Sequence, residues 1–145
     1  MIEKSKKEKF AVVSVKAFIE WNSKILILRE SLNYKHGANH DRYVMPGGKV
    51  SENEHFLDAL KRELKEECDI TVKIGRPFHV DEWWINFPGK PKHIVGVYFH
   101  CSVKNSKVLL APDFASYEWI RPENYNKWNV NSAAKRAFKS FLKLK

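Results

Sequence analysis

One stretch constrains this chain more than any other: residues 43–70, where Tyr-Val-Met-Pro-Gly-Gly-Lys runs into an acid-rich segment of helical period. Reading residues 57–68 as a helix at about 100° per residue puts Leu57, Leu60, Leu64 and Cys68 on one stripe that must be buried. Seven acidic residues (Glu52, Glu54, Asp58, Glu63, Glu66, Glu67, Asp69) crowd this segment, in a chain whose formal net charge is +9. Glu63, Glu66 and Glu67 are related by steps of three and four, so they share a second face beside the apolar stripe. Like charges at that spacing cost about 0.2–0.5 kcal/mol per pair in an isolated helix, a cost that a cation offsets.

Carboxylates with no Cys or His among them suit Mg²⁺, or Mn²⁺, better than zinc. Ahead of the helix, Gly47 and Gly48 let the backbone turn sharply and approach a ligand closely, so a main-chain carbonyl at either is a candidate further ligand.

Gly48, five residues, Glu54, seven residues, then Arg62-Glu63-Leu64-Lys65-Glu66-Glu67-Cys68-Asp69-Ile70 resembles the Nudix box, G-x5-E-x7-R-E-U-x-E-E-x-G-U, where U is aliphatic. The fixed positions match except the last Gly, which is Asp69. That site falls just past the helix, where a left-handed residue is usual and Asp is tolerated better than most, so the expected consequence is a modest loss of stability and none of chemistry. The resemblance implies an α/β fold, a Nudix-like α/β/α sandwich with a mixed sheet between helices, and a Mg²⁺-dependent pyrophosphohydrolase. By the same resemblance Glu63, Glu66 and Glu67 hold the metal with the Gly48 or Gly47 carbonyl, and Glu63 is the expected base. Glu54 and Arg62 are expected to be structural. On one continuous helix they would lie about 12 Å apart, so their pairing requires Glu54 to sit in the loop and fold back.

The length, 145 residues, suits a single domain over 1–145, and 43% apolar with 30% charged residues is the composition of a soluble globular protein. Cys68 and Cys101 make no disulfide framework and read as reduced core residues. No signal peptide or membrane-length apolar run is evident, so the expected location is cytoplasmic, with no membrane partner.

In chain order, residues 10–21 read as a strand, Asn22-Ser23 as a turn and residues 24–30 as a second strand. Residues 33–42 read as a polar loop walling the substrate cleft; His36, His40 and Asp41 there have no spacing that orders a metal site. Residues 70–80 look like a strand interrupted near Gly75 and Pro77, and residues 93–103 like the best strand, joined to the preceding segment around Pro88-Gly89. Trp83 and Trp84 face opposite sides of a strand: one belongs to the core or to a homodimer contact, and the other is a candidate for stacking on a nucleobase. Residues 117–120 read as a short strand. By resemblance its Glu118 is a candidate extra metal ligand or base, and Asp113 is a weaker competitor.

Residues 132–144 read as a basic amphipathic helix capped by Asn131 or Ser132, with Ala134, Phe138, Phe141 and Leu142 inward. From Arg121 onward there are seven basic residues and one acidic, an electropositive rim suited to polyphosphates. The expected substrate is a nucleoside diphosphate linked to another group, or a nucleoside triphosphate, cleaved to a monophosphate. The alternative is a non-catalytic module that binds a nucleotide, or RNA through its basic end.

Overall fold

The computed structural model describes residues 10–34, 37–87 and 90–144. Its strands are β1 (Val12–Trp21), β2 (Lys24–Glu30), β3 (Tyr43–Val44), β4 (Gly47–Lys49), β5 (Lys73–Phe87), β6 (Lys90–Ser102) and β7 (Phe114–Ile120). Its helices are α1 (Phe56–Cys68) and α2 (Ser132–Leu142), with a 3₁₀ helix at Pro122–Lys127. The strands form one mixed sheet: β1 runs parallel to β6, while its other partners, β2 and β4, are antiparallel to it. β1 and β2 join through Asn22 and Ser23, both at positive φ (52° and 63°), the conformation a two-residue hairpin turn demands.

Alternation along β1 sorts the sheet into two faces. Val15, Ala17 and Ile19 pack with Leu60, Leu64 and Cys68 of α1. Phe18 points the other way, to Phe138 and Phe141 of α2. The result is the α/β/α sandwich expected from the sequence, with both cysteines buried as free thiols.

Two expectations shift. Leu57 is 39% exposed and Ala59 takes a core place instead, because α1 is rolled so that Glu63 and Glu67, rather than Leu57, lie toward the sheet. The segment 81–86 is strand, not connection: β5 pairs with β6 from Lys73 to Phe87, with two register shifts around Pro77, which lacks the N–H a regular ladder needs. Pro88 and Gly89, expected at its turn, lie outside the described residues.

Asp69 caps α1 at φ 54° and ψ 44°, its N–H reaching the Lys65 carbonyl while Ile70 N–H reaches that of Leu64. Asp69→Ala should therefore lower stability by about 1 kcal/mol in urea denaturation, whereas Asp69→Gly should not. Equal midpoints for the two variants would show that the left-handed cap is under no strain.

Candidate active site

β4 brings the glycine pair against α1. Gly47, at φ 135°, packs so closely on β1 that a Cβ would collide with the Val15 carbonyl, and a Cβ on Gly48 would collide with the Glu63 carboxylate. The missing side chains let Gly47 N–H donate to Glu67 Oε1 at 2.9 Å.

The first part of the box is a clamp. Arg62 Nε donates to Glu54 Oε2 at 2.8 Å and Nη2 to Glu54 Oε1 at 3.0 Å, while Nη2 also donates to the Lys49 carbonyl at 3.1 Å. Glu54 does sit in the loop and fold back, and Ser51 N–H donates to it at 3.0 Å. The paired guanidinium holds the Glu54 carboxyl down to about 2.

Of the three box carboxylates, two come together. The Glu67 carboxylate is enclosed by protein apart from the cleft it opens on, and burial pushes it up to about 8, with Glu63 and Asp113 adding to the rise against Lys16 and the Gly47 N–H. Glu63 is raised as well, by burial first. Glu66 is largely exposed and turned to Arg62 Nη1 at 3.2 Å, because it sits about 100° around the helix from Glu67. Among the described residues no three acidic, His or Cys side chains form a ready-made metal cage. The buried pair with raised pKa values, with Lys16 the cation acting on both, still fits a hard divalent ion.

The cleft, about 490 Å³, lies on the α2 face of the sheet. Ser14 and Lys16 of β1 line it, as do Glu30, Tyr34, Trp83 and Asp113. Asp113, the weaker candidate in sequence, is thus the acid beside Glu67. Glu118 is not: it does not line the cleft, and it lies five residues, about 16 Å, along the strand from Asp113.

Sequence reasoning missed Lys16 and Glu30. Lys16 was legible as a polar residue in phase with the core residue Phe18. Glu30 is buried and accepts the Asn39 N–H at 2.7 Å, tying the loop to the end of β2. Asn39 in turn accepts from Asn131 Nδ2 at 3.1 Å, and the Asn131 side chain caps α2 by accepting from Ala134 N–H at 2.8 Å. The loop therefore does wall the cleft. No metal site forms within it from the residues described: His40 Nε2 lies 2.7 Å from the Tyr34 carbonyl and Asp41 pairs with Arg29, while His36 lies outside the described residues. Of the tryptophans, Trp83 lines the cleft and Trp84 stacks on His93 at 4.3 Å on the opposite face.

A family model described as "NUDIX domain" matches residues 11–141. A nucleoside triphosphatase, NudI, from Salmonella arizonae is 24% identical over 105 residues, which is 68% of this chain and 74% of that protein. NudI of Escherichia coli O139:H28 is 23% identical over 108 residues, with the same coverage. Among solved structures, the MutT protein of Methanosarcina mazei superposes with a TM-score of 0.80 at 25% identity, covering 94% of this chain and 96% of that one. The Escherichia coli ORF135 protein follows the same fold with a TM-score of 0.76 at 22% identity, covering 94% of this chain and 91% of that one.

The Glu54 shift sets a pH dependence. Its folded pKa is depressed, so the stability it contributes is present above the usual value of 4.5 and is lost as pH falls through about 2. The Tm gap between the wild type and Glu54→Gln should be full at neutral pH and close near pH 2; a gap that does not change with pH would remove the clamp from the account.

Proposed function

Because this chain belongs to the NUDIX family, whose members are pyrophosphohydrolases, we propose that it hydrolyses the diphosphate of a nucleoside diphosphate derivative or nucleoside triphosphate with Mg²⁺ or Mn²⁺, releasing a nucleoside monophosphate. The observation that carries this reading is the Glu63–Glu67 pair, two mutually repelling carboxylates raised by burial behind the glycine turn, where the cleft opens with Lys16 and Lys49 in its wall. The nucleoside triphosphatase relatives support the nucleotide part of it.

Glu63 and Glu67 would hold the ion, with Glu66 exchanging Arg62 for it and the Gly48 carbonyl completing the set. When bound, a divalent ion neutralises the diphosphate and acidifies the attacking water. The chain's own residues do the rest. Gly47 N–H fixes the Glu67 carboxylate, and Glu63 accepts the water proton at its own carboxylate. Lys16 and Lys49 face the substrate's anionic oxygens from the cleft wall. The water oxygen bonds to one phosphorus, the bridging P–O bond breaks, and its electron pair leaves with the other half. The buried free thiols of Cys68 and Cys101 fit a reducing, cytoplasmic setting.

The test is phosphate release from a panel of nucleoside di- and triphosphate derivatives with Mg²⁺, coupled to a phosphatase or pyrophosphatase. Glu67→Gln and chelation should each reduce turnover about 10²–10³-fold, and Asp113→Asn should cost more than Glu118→Gln. Nucleotide binding without turnover of any substrate would replace this reading with a binding module.

A further inference from the structure

The two faces of the sheet are not equally covered. On the cleft side α2 reaches across to β5, whereas α1, on the other side, packs on β1 and β4 and leaves the outer part of the β5–β6 hairpin bare. Strand register identifies the side chains left there. Val13 lies beside Val95 and Val15 beside Val97, so Val13, Val95 and Val97 share the α1 face with the core residue Val15. Across β6, Val80 is paired with Val97, Glu82 with Val95 and Trp84 with His93. Phe56, in the first turn of α1, closes one end with its ring 5.8 Å from that of Phe99. Val80 is 67% exposed, Trp84 58%, Phe56 49% and Val13 43%. Together they present on the order of 400 Å² of apolar side chain in one patch, a size that belongs to a contact surface rather than to scattered surface residues.

The edge beside this patch is poorly suited to adding a strand. β5 ends the sheet and has no outer strand neighbour among the described residues, but Pro77 has no N–H to offer and the Glu82 N–H is taken by Asp81 Oδ1 at 2.8 Å. A partner therefore meets the face. Glu82, the acid between Val80 and Trp84, already has His93 Nε2 at 2.8 Å, so covering the patch strands no unpaired charge and calls for none opposite. An uncharged apolar surface fits it, and the same patch on a second copy is one. Residues 1–9 are a poor cover by comparison, since six of the nine are charged. The area also matches a dimer: a standard interface takes about 800 Å² from each partner, a little over half of it apolar.

We propose that this chain forms a two-fold dimer in which the Val13, Val80 and Trp84 faces of two sheets pack on each other. Sheets stacked in this way lie about 10 Å apart, and both clefts stay open on the outer, α2 sides. The dimer stands independently of the hydrolase reading.

Sedimentation velocity of the full chain at up to about 100 μM should give the mass of two chains, because interfaces of this size bind in the micromolar range or tighter. Trp84→Glu and Val80→Lys should each raise the dissociation constant about 30-fold or more while keeping the native circular-dichroism spectrum, as expected when a central apolar anchor is replaced by a charge. Lys139→Glu, on the exposed side of α2, should leave the dimer unchanged. A wild type that is monomeric throughout that range, or a dimer that either folded variant leaves intact, overturns the assignment. A dimer lost only on removing residues 1–9 gives the contact to the chain's own start and overturns it as well. Should one variant lose the native spectrum, the other decides.

Discussion

The hydrogen bond from Gly47 N–H to Glu67 spans the gap between the sheet and α1, and it exists only because two side chains are missing. With any Cβ at Gly47 or Gly48 the strand would move off β1 or push the Glu63 carboxylate away. The roll of α1 follows from the same contact. Leu60, Leu64 and Cys68 pack on the sheet while Glu63 and Glu67 lie alongside at its margin, which leaves Leu57 at the solvent edge. Arg62 then locks the arrangement by tying Glu54 and the Lys49 carbonyl to the helix, so the turn and the carboxylates cannot drift apart independently.

Much of this was legible in the sequence because it is local. The helical period, the glycine pair, the hairpin turn at Asn22-Ser23 and the N-cap at Asn131 each depend on residues a few positions apart, and the structure has all four. What the period could not give is the helix's rotation, since Leu57 and Ala59 are both compatible with an apolar face and only the carboxylates' burial decides between them. Glu118 and Asp113 differ in the same way. Both are acids near the start or middle of one strand, and which meets Glu67 depends on how β7 registers against β2, a long-range fact. Glu30 carried no local signal at all: a strand-terminal Glu is ordinarily solvated, and here it is buried by a loop that reads as formless.

That loop joins both ends of the site. Glu30 holds Asn39 through its backbone and Asn39 meets Asn131 through its side chain, so the end of β2, the loop and the cap of α2 form one hydrogen-bonded chain. A buried carboxylate accepting a backbone N–H is costly to disturb, because losing it leaves the donor unsatisfied. This wall of the acidic cleft is therefore tied to two secondary-structure ends, unlike a loop held only at its own termini.

The distribution of charge then gives the site a direction. The chain is basic overall, but the pKa values of Glu63 and Glu67 are raised because burial disfavours their ionised forms by more than the nearby cations, Arg62 beside Glu63 and Lys16 beside both, can offset. Two carboxylates in that position resist ionising together unless a further positive charge joins them. A polyphosphate entering past the lysines has the opposite problem, since its own oxygens repel the same carboxylates. A divalent ion resolves both repulsions at once. On the proposed reading the protein's excess of lysine and arginine would draw the anion to the cleft, while the acidic pair would retain the ion that makes its diphosphate reactive.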